Sequence, residues 1–194
     1  MKIASFLALS TLITTPAFAE ETRHVGSHEH GVGQLSIAFD GTQIAMELHV
    51  PGADIVGFEY AAESAEDRAE IAAALSVLAQ PMVLFVPSEA AQCSVIDADA
   101  ALAGDDDHDD HADHDDHDDH DDHDDHDESG SHTEFQAQYL LDCADTSALT
   151  EIAFAYFNAF PNALEVDVQF VSDAGATAFE VDRDAPLLDL SDVN

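Results

Sequence analysis

The chain has 194 residues, of which 42 are acidic and only 4 basic, and its formal charge at neutral pH is −38. Such a surface repels nucleic acid and anionic lipid and attracts cations, which argues against nucleic-acid binding and binding to acidic membranes. The length suits one domain, and 46% apolar residues can fill a core of that size.

The chain opens with the pattern of a secretory signal. Lys2 gives the positive start, Ile3 to Ile13 are mostly apolar, and Ala17-Phe18-Ala19 is an A-x-A cleavage site. Residues 1–19 are read as the signal, with the mature protein starting near Glu20. The apolar run is too short for a membrane span, and no later stretch is long and apolar enough. The expected location is therefore the periplasm. Residues 20–194 read as one domain, interrupted at 105–127 by a low-complexity insert rich in histidine and aspartate. Beyond the signal, the only basic residues are Arg23, Arg68 and Arg183.

His24, His28, Glu29 and His30 precede the first expected strand. Leu35, Ile37 and Phe39 alternate with small or polar residues, Asp40-Gly41 follows, and Ile44, Met46, Leu48 and Val50 alternate again. This is a hairpin signal. A turn centred on Asp40-Gly41 pairs Phe39 with Thr42, Ile37 with Ile44 and Leu35 with Met46. Extended, that register puts His49 opposite Val32. It also gathers His28, His30, Glu47 and His49 on the polar face as a candidate zinc site.

A helix is expected over residues 65–79, capped by Ser64 and Asp67, with Ile71, Leu75 and Leu78 as its core stripe and Pro81 as its stop. Met82 to Val86 and Cys93 to Ile96 read as strands. After the insert, Phe135, Ala137, Tyr139 and Leu141 alternate. So do Ile152, Phe154 and Tyr156, then Leu164, Val166, Val168 and Phe170. Phe179 and Val181 mark a last strand. The periodicity of residues 148–157 also fits a helix. The expected fold class is α+β, an antiparallel sheet with one main helix and a disordered insert.

Within the insert a histidine falls at every third position, namely His108, His111, His114, His117, His120, His123 and His126. Aspartate fills nearly every position between them, and Ala112 is the one interruption. No packed core can form from these side chains. Neutral imidazole and carboxylate are both zinc ligands, and a flexible chain can wrap them around an ion. Two histidines per ion would hold roughly 2–4 zinc ions. Copper and nickel also accept imidazole, so the tract alone does not select the metal. A solvated acidic linker would explain the aspartates but not the periodic histidines. His132 and Glu134 follow at once and share a strand face, as a further candidate ligand pair.

Cys93 and Cys143 are the only cysteines. In an exported protein such a pair most often forms one disulfide, here expected at the base of the insert. Two separate buried thiols are the alternative.

Several segments together resemble the family of zinc-regulated periplasmic proteins called ZrgA. They are His28-Glu29-His30-Gly31, the Asp40-Gly41 hairpin, Val50-Pro51-Gly52-Ala53, Gly57-Phe58-Glu59 and Phe160-Pro161. Cys93, the acidic histidine-rich insert and Cys143 fit as well, so the resemblance spans nearly all of the mature chain. It implies a part in zinc acquisition in the periplasm, beside a zinc ABC transporter or its solute-binding protein. It also implies a histidine after Gly-Phe-Glu, where this chain has Tyr60.

The leading functional expectation is a zinc-binding protein that captures or buffers the ion and supports its uptake. The alternative is sequestration of excess copper or nickel. A metalloenzyme is disfavoured, because there is no H-E-x-x-H and His28-Glu29-His30 is too close for ligands paired along a helix. An acidic calcium-binding protein leaves the histidines unexplained.

Overall fold

The computed structural model describes residues 29–103 and 133–193. The signal segment, His24, His28, the insert histidines from His108 to His126, and His132 lie outside the described residues.

β1 (Val32–Asp40) and β2 (Gln43–Pro51) form the expected hairpin, in a different register. Asp40 pairs with Gln43, Phe39 with Ile44, Ile37 with Met46, Leu35 with Leu48 and Gln34 with His49. The two-residue loop is Gly41-Thr42, because Gly41 at φ 63° supplies the positive φ at the first loop position. The slide is an even number of residues, so every side chain keeps its expected face. It also gives Phe39 the apolar partner Ile44 in place of Thr42.

A single helical turn, α1 (Gly52–Ile55), follows β2. The main helix is α2 (Ala65–Leu78). The Ser64 hydroxyl accepts the Asp67 amide at 3.0 Å, and the Asp67 carboxylate accepts the Ser64 amide at 2.9 Å. Both halves of the capping box are therefore made. Ile71, Ala74 and Leu78 are the buried face of the helix.

Pro81 opens another helical turn, α3 (Pro81–Leu84), where a strand was expected from Met82. Proline suits a first helical position, since its missing N–H would have no partner there. Only Phe85–Pro87 is extended, as β3. β4 (Cys93–Leu102) runs well past Ile96, and β5 (Glu134–Cys143) returns beside it. The ambiguous segment splits into β6 (Glu151–Phe154) and a helical turn, α4 (Tyr156–Ala159), so Tyr156 leaves the strand. β7 (Glu165–Ser172), β8 (Gly175–Asp182) and β9 (Leu187–Asp189) complete the chain.

Six strands form one sheet in the order β4-β5-β2-β1-β7-β8, and β3-β6-β9 form a second. All pairs are antiparallel except β1 with β7, which is parallel. The class is α+β with mostly antiparallel sheet, as expected. The even-numbered residues of β2 and the odd-numbered residues of β1 and β5 point inward, and Leu35, Ile37, Leu48 and Phe135 are at most 1% exposed. They join α2, the small sheet and α4 in one hydrophobic cluster. Each fully buried side chain of this size contributes about 1.5–3 kcal/mol. Phe85 meets Phe154 edge-on at 5.1 Å, and the Tyr139 hydroxyl donates to the Leu78 carbonyl at 2.8 Å, tying sheet to helix. Arg183 donates to the carbonyls of Phe157, Phe160 and Ala163 and lies over the Phe157 ring. Among the described residues no helix is long and apolar enough to cross a membrane.

Candidate metal centre

The odd-numbered residues of β2 face outward, which puts Glu47 and His49 on the outer surface of the large sheet. His49 pairs with Gln136 on β5, and Glu134 is the diagonal neighbour on the same face. The Glu134 side chain, 14% exposed, reaches His49 Nδ1 with Oε1 at 2.8 Å. Gln136 Nε2 also donates to that oxygen at 3.2 Å. On the other side of the ring, Nε2 stands 3.2 Å from Glu47 Oε1.

The donor chemistry follows from these contacts. A carboxylate only accepts, so the 2.8 Å contact places the proton on Nδ1 of His49. That leaves Nε2 of the neutral ring as a bare nitrogen facing Glu47. Two ligands on one tetrahedral zinc, each about 2.0–2.1 Å from it, are about 3.3 Å apart. The 3.2 Å gap between Nε2 and Glu47 Oε1 fits that spacing. Glu134 then occupies the place of the carboxylate that orients a metal-bound imidazole from behind. The hydrogen bond that His49 donates to Glu134 is the main cause that raises the His49 pKa above 6.5. Burial opposes it, and Glu47 adds to it.

His30 is elsewhere. It stands in the turn before β1, and its Nδ1 lies 3.3 Å from Glu59 Oε1. The structure therefore brings His49 together with Glu47 and Glu134 and sets His30 against Glu59. With His49 opposite Gln34 rather than Val32, the diagonal step that was to join His30 to His49 is lost.

The feet of the insert land beside this cluster. Leu102 pairs with Phe135, and the Ala103 amide donates to the Glu134 carbonyl at 2.8 Å. Thr133 donates through both its amide and its hydroxyl to the Glu59 carbonyl, at 2.9 and 3.0 Å. Its own carbonyl accepts the Gly52 amide at 2.6 Å. Only glycine fits there, since a Cβ would stand 2.6 Å from the Phe58 carbonyl oxygen and 2.8 Å from that of Thr133.

Cys93 and Cys143 form a disulfide between directly paired residues. It is not at the base of the insert. It closes the far end of the β4–β5 ladder, and the insert leaves from the Leu102–Phe135 end. The two strands are ten residues long each, so cysteine and insert were separated by more strand than the sequence pattern had suggested.

Two groups escaped the sequence reading. Asp54 on α1 is 2% exposed and is the one buried charged residue among the described residues. Glu165, Asp167 and Glu180 bring carboxylate oxygens within 4.8 Å of one another on the outer face of β7 and β8. Partial desolvation, then the charges of Asp167, Asp182, Glu180 and Glu29, push the Glu165 carboxyl above its ordinary range. The i, i+2 spacing of Glu165 and Asp167 was visible. Their pairing with Glu180 required the β7–β8 register.

A family model described as ZrgA family zinc uptake protein matches residues 27–190. No curated protein matches the chain.

Proposed function

The chain belongs to the ZrgA family of zinc uptake proteins, and from that premise we propose that it captures or buffers zinc in the periplasm. It then supports delivery of the ion to a zinc ABC transporter. The observation that carries this reading is the His49 ring, fixed from behind by Glu134 and presenting Nε2 toward Glu47 at ligand spacing. His49 and Glu47 supply two positions, and both side chains are at least one-third exposed. The remaining positions stay open to water or to a passing ligand, which suits an ion that must be released.

In this reading His108, His111, His114, His117, His120, His123 and His126 form several weak zinc sites that load after the cluster on the sheet, with His132 as a further ligand. The acidic tract raises the local cation concentration, and its weak sites load and unload easily. His28 contributes from the start of the chain. The cluster on the sheet is held by strand pairing, so it loses less chain entropy on binding. No group in it is arranged as a nucleophile, and the chain is read as a carrier rather than an enzyme.

Calorimetric titration of the exported protein with zinc, copper, nickel and calcium tests the proposal, paired with expression measured under zinc starvation and under metal excess. Zinc binding with induction by starvation supports it. Preference for copper or nickel with induction by excess points to sequestration instead.

A further inference from the structure

The second histidine–carboxylate pair has a setting of its own. His30 Nδ1 and Glu59 Oε1 are 3.3 Å apart, too long for a strong charge-assisted hydrogen bond and equal to the spacing of two ligands on one tetrahedral ion, about 3.3 Å. Behind them lies Asp54. Its Oδ1 accepts the Gly31 amide at 2.7 Å, which fixes the backbone next to His30. Its Oδ2 is buried and meets no hydrogen-bond donor. The buried Tyr156 hydroxyl feels the Asp54 charge but makes no hydrogen bond to it.

A buried carboxylate with an unmet oxygen is costly, and proteins retain one where a charge partner compensates it. The titratable groups acting on Asp54 are His30, which favours its charge, and Glu59, which opposes it. Two carboxylates that repel each other, one of them 3.3 Å from an imidazole nitrogen, form a place where a divalent cation turns repulsion into attraction. The place is also rigid. Gly31 accepts the Leu164 and Glu165 amides at 2.8 and 2.9 Å, and Thr133 pins the Glu59 backbone.

We propose that His30 and Glu59 form a second divalent-cation site, distinct from the one at His49, with Asp54 as the buried charge that positions and balances it. His30 Nδ1 and Glu59 Oε1 are its ligands, and water fills the open positions. The nitrogen–oxygen donor set suits zinc, with cobalt and nickel as close competitors. The proposal does not rest on the His49 reading, and either site can fail alone.

The test is a chelator-competition titration of the intact protein with zinc, run on the parent, His30→Ala, Glu59→Gln, His49→Ala and the His30→Ala/His49→Ala pair. Expected is loss of one high-affinity equivalent in His30→Ala and in Glu59→Gln, a different one in His49→Ala, and both in the pair. Asp54→Asn is expected to weaken the His30 equivalent about 10–100-fold, as for other residues that orient a ligand. Should that buried change disturb folding, the exposed His30→Ala decides. Zinc-edge anomalous density beside His30 Nδ1 in zinc-loaded crystals is the second expected result. Retention of every parental equivalent at parental affinity in His30→Ala and Glu59→Gln overturns the site, as does zinc-loaded density without a peak there.

Discussion

His49 and Glu134, 85 residues apart in sequence, meet with Nδ1 and Oε1 at 2.8 Å. The contact is made because β5 lies beside β2 with Gln136 opposite His49, so that Glu134 is one diagonal step away. It leaves Nε2 facing Glu47 as a bare nitrogen, the atom proposed to take the metal. Glu134→Gln keeps the shape but removes the charge behind the ring. Zinc affinity at this site is expected to fall about 10–100-fold with the fold unchanged. Chelator competition and circular dichroism on the variant check both halves.

The same contact has a pH signature in the metal-free protein. Glu134 first, and Glu47 after it, raise the His49 pKa above 6.5, against the effect of burial. A raised folded-state pKa gives stability that is fully present below about 6.5 and is lost as pH rises through the folded value. The melting-temperature difference between the parent and His49→Ala is therefore expected to be largest in mildly acidic buffer and to shrink above neutrality. Zinc affinity runs the other way and weakens as pH falls, because the ion must displace a proton from Nε2.

Deleting residues 105–127 is expected to leave the fold intact. The β4–β5 ladder already closes at Leu102 and Phe135, and the Ala103 amide is satisfied by Glu134. Zinc capacity should fall while the His49 step remains. Thermal melting and equilibrium dialysis measure the two effects. Failure to fold in oxidising buffer contradicts the first, and unchanged capacity contradicts the role of the histidines.

The disulfide spans a sequence separation of 50, and removing it is expected to cost roughly 4 kcal/mol in the chain-entropy model. Because it closes the end of the ladder away from Glu134, the Cys93→Ser/Cys143→Ser variant should keep parental zinc affinity. Denaturant unfolding and competition titration separate stability from binding here.

Arg183→Ala removes a guanidinium that binds three backbone carbonyls, Phe157 within α4 and Phe160 and Ala163 after it. Hydrogen bonds from a charged group are strong, and the expected loss is about 3 kcal/mol. Arg183→Lys should recover only part of it, since an ammonium lacks the planar fork.

What the sequence made legible was local or periodic. Alternation in Leu35–Phe39 and Ile44–Val50 assigned the buried face, and a slip of two residues left that face unchanged. Ser64 and Asp67 marked the helix start correctly, because a capping box is a contact three residues long. Relationships between distant strands were not legible. Alternation shows which way a strand faces but not which strand lies beside it. The parallel β1–β7 pair, the short β9 and the Asp167–Glu180 pairing were thus hidden. The candidate site divides along the same line. Glu47, His49 and Glu134 were each visible as outward-facing residues, but the two-residue slip moved His30 away from them. Asp54 gave no signal, since a single acid in Pro-Gly-Ala-Asp looks like a surface turn.

The proposed role of His49, with Glu47, is to hold zinc on the large sheet. Its most direct test is the competition titration of zinc between a chelator and His49→Ala, beside the parent in the same buffer. The variant is expected to lose one high-affinity step and keep the weaker ones contributed by the insert. A variant that binds its full set of high-affinity zinc as tightly as the parent contradicts it.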